Sequence, residues 1–189
     1  MLHLASRSPR RAELLARLGL DFGLIDLDIP EHQGSGEAAS EYVRRVAREK
    51  AGAGLLEVVA VPNAAVLGAD TEVILDGRVF GKPADSSDAA TMLRALSGRT
   101  HEVITAVSLV SAGREAQALS TSQVRVAEMS DADIEAYLAG GEWEGKAGAY
   151  AIQGGFQAHI EHLAGSFSGV MGLPLFETSR LLKQFGLIA

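Results

Sequence analysis

The chain of 189 residues contains no cysteine. That excludes disulfides, thiolate zinc sites and a cysteine nucleophile, and it fits a reducing compartment. Proline is scarce, at five residues, and the chain is unlike a disordered or low-complexity sequence. No long apolar run exists either: the longest, Leu55 to Ala69, is broken by Glu57, Pro62 and Asn63, so no segment is expected to cross a bilayer. A basic excess is also missing. Seventeen Lys and Arg face 24 Asp and Glu, for a net charge of −7, which disfavours a broad surface for a nucleic-acid polymer. The start, Met1 to Ser6 followed by arginines, reverses the order of a signal peptide. A cytoplasmic protein without membrane or nucleic-acid partners is expected.

What is present is ample apolar material. With 47% hydrophobic and 22% charged residues, the chain can bury a continuous core, as one domain over residues 1–189 or one divided by a cleft. Charge is unevenly spread. Residues 1–50 carry eight cations and eight anions, so the remainder holds the whole negative excess.

Leu2 to Ala5 reads as a short buried strand, and Ser8 with Pro9 opens a helix that Gly19 closes, because serine caps well and proline suits the first helical position. Phe22 to Leu27 reads as a strand. Ser40 to Leu56 reads as a helix that buries Tyr42, Val43, Val46 and Ala47, leaves Arg44, Arg45 and Lys50 outside, and frays at Gly52 and Gly54. Ala65 to Leu75, the turn Asp76-Gly77 and Arg78 to Phe80 form a hairpin. Then come a helix over 87–96, two long antiparallel strands over 103–111 and 118–126, and a helix over 131–138 capped by Ser130. A short strand over 149–152 and a last helix over 175–185 complete the order. Lacking regular alternation of strand and helix, it points to α+β or irregular α/β rather than a doubly wound sheet.

Several motifs fail on context. Gly34-Ser-Gly36 imitates a dinucleotide fingerprint but does not follow a strand directly. Gly165 to Gly169 has Phe167 where a nucleophile elbow needs serine. His159 and His162 are spaced for one helical face but lack a third zinc ligand. His3, His32 and His101 read as structural.

Other motifs carry chemistry. SRSPRR at 6–11, directly after a strand, places Arg10 and Arg11 at a helix N-terminus, where free N–H groups and guanidinium groups suit an anion. The same stretch is equally read as a capped helix with solvated arginines. Asp70 ends an apolar segment, where a carboxylate is costly unless paired, hydrogen-bonded or bound to metal. GKP at 81–83 holds a lysine in a turn, and 145–154 is a glycine-rich loop with polar groups.

Taken in order, SRSPRR at 6–11, EYVRRVAREKA at 41–51, GADTEV at 68–73, GKP at 81–83, LSGRTHEVIT at 96–105, KAGAYAIQG at 146–154 and GLPLFET at 172–178 resemble the Maf family of nucleoside triphosphate pyrophosphatases. The resemblance implies an elongated mixed α/β fold related to the inosine triphosphate pyrophosphatases, with a central mixed sheet and two lobes around a cleft. It implies cleavage of dTTP, UTP or modified pyrimidine nucleotides to monophosphate and pyrophosphate, with Mg²⁺ or Mn²⁺, by a homodimer. By that resemblance Asp70 is the general base and a metal ligand, and Glu31 a second ligand, although Ile29-Pro30-Glu31 departs from the family's Asp-Glu pair. Ser8, Arg10, Arg11, Lys50, Thr71, Lys82 and Gln153 fall on substrate-binding positions, with Arg10, Thr71 and Gln153 tied to substrate choice. A non-catalytic nucleotide sensor regulating septum formation is the alternative.

Overall fold

The computed structural model describes residues 1–27 and 29–188. The chain runs β1 (Leu2–Ala5), α1 (Pro9–Ala16), β2 (Phe22–Ile25), α2 (Ala39–Glu57), β3 (Ala65–Leu75), β4 (Arg78–Phe80) and α3 (Ser86–Leu96). It continues through β5 (Thr100–Ser111), β6 (Arg114–Val126), α4 (Asp131–Ala139), β7 (Ile160–Ala164), α5 (Phe167–Met171) and α6 (Leu175–Gln184). The strands form one mixed sheet in the order β2-β1-β3-β5-β6-β7, with β4 also paired to β3. β1 is parallel to β2 and β3, and the later pairings are antiparallel. The mixed α/β expectation is met.

Side-chain alternation along β3 and β5 divides the apolar residues between two faces. Leu67, Ala69, Val73, Val103, Val107 and Leu109 join the larger core with Leu14, Leu15, Leu93 and Leu182. Ile74, Ile104 and Ala106 turn to the other face, where α2 contributes Tyr42, Val43, Val46 and Ala47. The helix lies unusually close to the sheet because Gly68 has no side chain. A β-carbon there would stand 2.3 Å from the Ala47 carbonyl oxygen and 2.7 Å from the Ala51 nitrogen. This proximity sets Lys50 above the following residues of β3. Gly68→Ala is therefore expected to cost about 2–3 kcal/mol of stability by overpacking, read as a lower urea midpoint; an unchanged midpoint would show that α2 can move away freely.

The structure departs from the sequence reading in several places along the chain. α2 does not fray at its glycines: Gly54 is packed where a β-carbon would meet Val66 at 2.9 Å and Ala5 at 3.0 Å. Residues 149–152 form no strand. Ala147–Ala149 is a 3-10 turn in which Gly148 and Ala149 take φ of 67° and 62°, a left-handed bend that breaks any ladder. His159 and His162 do not share a helical face, because β7 begins at Ile160 and His162 pairs opposite Arg125.

Candidate active site

The sheet itself opens the site. β1 ends at Ala5, opposite Gly68, and β4 starts pairing only at Val73 with Phe80. On that side, residues 69–72 of β3 have no strand partner among the described residues. A cleft of about 900 Å³ occupies the gap. The segment after β1 and the start of α1 line one wall, and the 144–153 loop with residues 170–172 lines the other. Carboxyl ends of parallel strands are a common place for such a crevice.

Along the floor runs a row of alternating charges. Lys82 Nζ donates to Glu31 Oε2 at 2.8 Å, Lys50 Nζ is 2.5 Å from Glu31 Oε1, and the same Nζ donates to Asp70 Oδ1 at 2.8 Å. Burial raises the pKa of Glu31, but Lys50 and Lys82 outweigh it and hold that pKa at about 2. Asp70 is 4% exposed, and its second oxygen, Oδ2, is buried with no hydrogen-bond partner. Two residues on, and so on the same face, Glu72 is 7% exposed with Oε2 likewise unpartnered. Burial first, then the negative charges of Asp70 and Glu31, push Glu72 up to about 8.

Thr71 points to the opposite face. Its Oγ1 accepts from Arg11 Nη2 at 3.1 Å and from the Thr105 hydroxyl at 2.9 Å, while Arg11 Nε donates to the Gly172 carbonyl at 2.8 Å. Arg11 thus ties the helix start to the far wall. Burial lowers the pKa of Arg11, and the charges of Asp70, Glu31 and Glu72 oppose that shift. Arg10 also lines the cleft, its pKa lowered by burial and then by Arg11. Ser8 is the α1 N-cap residue, yet its side chain makes no capping bond and its Oγ is buried without a partner. That hydroxyl remains available to a ligand.

Gln153 is carried by a firmly held loop. The Gly148 N–H donates to the Gly81 carbonyl at 3.1 Å, and the Ala151 N–H donates to the Tyr137 hydroxyl at 3.1 Å. Tyr150 stacks on Phe156 with centroids 4.7 Å apart and meets the edge of His101. His101 Nε2 lies 2.8 Å from the Tyr150 hydroxyl, and burial lowers the histidine to about 4, so it is neutral and structural as read from the sequence.

Every site position expected from the sequence lines this one cleft: Ser8, Arg10, Arg11, Glu31, Lys50, Asp70, Thr71, Lys82 and Gln153. Lys50 differs from the sequence reading of the helix, since its side chain is 12% exposed and directed at Asp70 rather than outward. Further charged residues also line it, Glu72 and Lys146 together with Arg7 and Glu144. Glu72 was visible as a second acid at i+2 in an apolar strand, and Lys146 as a cation inside the glycine-rich loop.

For a divalent cation, the unpartnered oxygens of Asp70 and Glu72 are hard donors of the kind Mg²⁺ and Mn²⁺ prefer. Among the described residues, no group of three His, Cys, Asp or Glu is gathered closely enough to hold a metal. A pair of carboxylates suffices where phosphate oxygens and water complete the shell. The residues fit the ion.

Residues 1–185 match the family model described as Maf-like protein. The chain is 61% identical over 188 residues to the dTTP/UTP pyrophosphatase of Xanthomonas euvesicatoria pv. vesicatoria (strain 85-10), covering 98% of this chain and 99% of that one. It is 58% identical over 186 residues to the nucleoside triphosphate pyrophosphatase of Xylella fastidiosa (strain M23), covering 98% of each. Among solved structures, the Staphylococcus aureus Ham1 protein shares 13% identity at a TM-score of 0.45, over 67% of this chain and 72% of that one. With the match running through every block that lines the cleft, the chain belongs to the Maf-like protein family.

Proposed function

We propose that the protein hydrolyses dTTP and UTP to the monophosphate and pyrophosphate. The observation that carries this reading is Asp70, which is buried at the cleft floor with one oxygen held by Lys50 and the other free. The relative at 61% identity, named dTTP/UTP pyrophosphatase, supports the same substrates. In this reading the free Oδ2 of Asp70 accepts a proton from water as the water oxygen bonds to phosphorus and the α–β anhydride bond breaks. Lys50 holds the other oxygen, Oδ1, and so aims the carboxylate. Arg10, Lys82 and the Ser8 hydroxyl bind phosphate oxygens, and Arg11 fixes Thr71 through its hydrogen bond to Oγ1. A bound divalent cation supplies charge that stabilises the developing negative charge on the phosphates.

The proposal takes its compartment, the cytoplasm, from the composition of the sequence and its homodimer from the family resemblance; no helix among the described residues is long and apolar enough to cross a membrane. No observation favours the non-catalytic regulator. The purified protein, given dTTP or UTP, is expected to release pyrophosphate and to stop when EDTA is added. Orthophosphate with a nucleoside diphosphate as products, or a rate indifferent to EDTA, would refute the proposal.

A further inference from the structure

We infer that Glu72, rather than Glu31, is the carboxylate that joins Asp70 in holding the divalent cation. This rests on the functional reading above for the identity of the site but on separate observations for the ligand. Both oxygens of Glu31 are already engaged, Oε1 by Lys50 at 2.5 Å and Oε2 by Lys82 at 2.8 Å. A cation at Glu31 would therefore share each oxygen with an ammonium group whose positive charge repels it. Glu72 makes no such bond: Oε2 is buried and has no partner.

Asp70 and Glu72 project from the same face of β3, both more than nine-tenths buried and both lining the cleft. Each presents one unpartnered oxygen, Oδ2 and Oε2. Two buried acids on one face, Asp70 bonded only through Oδ1 and Glu72 with Oε2 unpartnered, are an unfavourable arrangement, because the two unpartnered oxygens have lost hydration without a donor and lie in like-charged groups. A hard divalent cation between them removes both penalties. Each carboxylate oxygen offers two lone-pair directions, so Asp70 can contribute one to the ion and keep another for water.

Glu72 also lies where an apolar residue would pack as well as its neighbours do. Ile74 and Ile104, next along this face, are buried against α2. A carboxylate in that row has no structural partner to explain it.

The test uses the full chain stripped of metal, without nucleotide, and titrates Mn²⁺ by calorimetry. The wild type should bind about one Mn²⁺ saturably. Glu72→Gln, nearly isosteric, should weaken that binding roughly ten-fold or more, whereas Glu31→Gln should change it less than about three-fold. If Glu72→Gln does not fold, Glu72→Asp serves in its place, keeping the charge but drawing the oxygens back, and should also weaken Mn²⁺ binding. Undiminished Mn²⁺ affinity in the Glu72 variant, a larger loss in Glu31→Gln, or no saturable binding by the wild type would each overturn the inference. Pyrophosphate release from the wild type is scored separately. Its absence alongside the expected metal result would fail the function and leave the ligand assignment standing, and the converse pattern would do the reverse.

Discussion

Asp70→Asn is expected to lower kcat for dTTP by roughly 100-fold or more while the protein remains folded. Asparagine has nearly the same shape but cannot accept a proton from water, and its amide is a poorer metal ligand. Two features predict that the fold tolerates the change. Lys50 retains its 2.5 Å ion pair with Glu31, and loss of the Asp70 charge relieves the repulsion that helps raise the Glu72 pKa. Thermal unfolding followed by circular dichroism, beside turnover per folded molecule, separates the two roles. A variant that unfolds early yet turns over normally would make Asp70 a packing residue.

The second large effect concerns the base. Uracil and thymine present a carbonyl acceptor beside an N–H donor, and the Gln153 carboxamide offers a donor and an acceptor in one plane. Guanine presents two adjacent donors, which suit a carboxylate. Gln153 lines the cleft on a loop anchored at Gly81 and Tyr137, so its position is set by the backbone before any ligand arrives. Gln153→Glu should therefore lower the ratio of kcat/KM for UTP over GTP, by about 5- to 150-fold for a mismatch of about 1–3 kcal/mol. An unchanged ratio would remove Gln153 from base recognition.

Much of this architecture is legible in the sequence because local rules and tertiary packing agree. Asp76-Gly77 takes positive φ at both residues, as its hairpin requires, and Ser130 closes a reciprocal capping box with Asp133. Where they conflict, reading by pattern fails. Ala149 to Ile152 looks like a strand from its side chains, but the backbone of Gly148 and Ala149 bends the chain and Tyr150 is drawn into the aromatic cluster. β7 escapes notice because its alternation carries only Ile160 and Leu163 as sizeable apolar groups. The candidate site was legible as a set of motifs and as one buried acid. Its internal wiring was not, since Lys50 reaches Asp70 through the contact of Ala47 with Gly68, which no spacing along the chain reveals.

The pairing of Glu31 with both lysines makes this residue an internal competitor for them. A tethered carboxylate acts at a high effective concentration, so an incoming anion competes with it for the charge of Lys50 and Lys82. A triphosphate, with several charges spread over contacts along the cleft, is equipped to do so. On the function proposed above, a monophosphate, with fewer charges and fewer contacts, competes less well, and the return of Glu31 to its lysines would favour its departure.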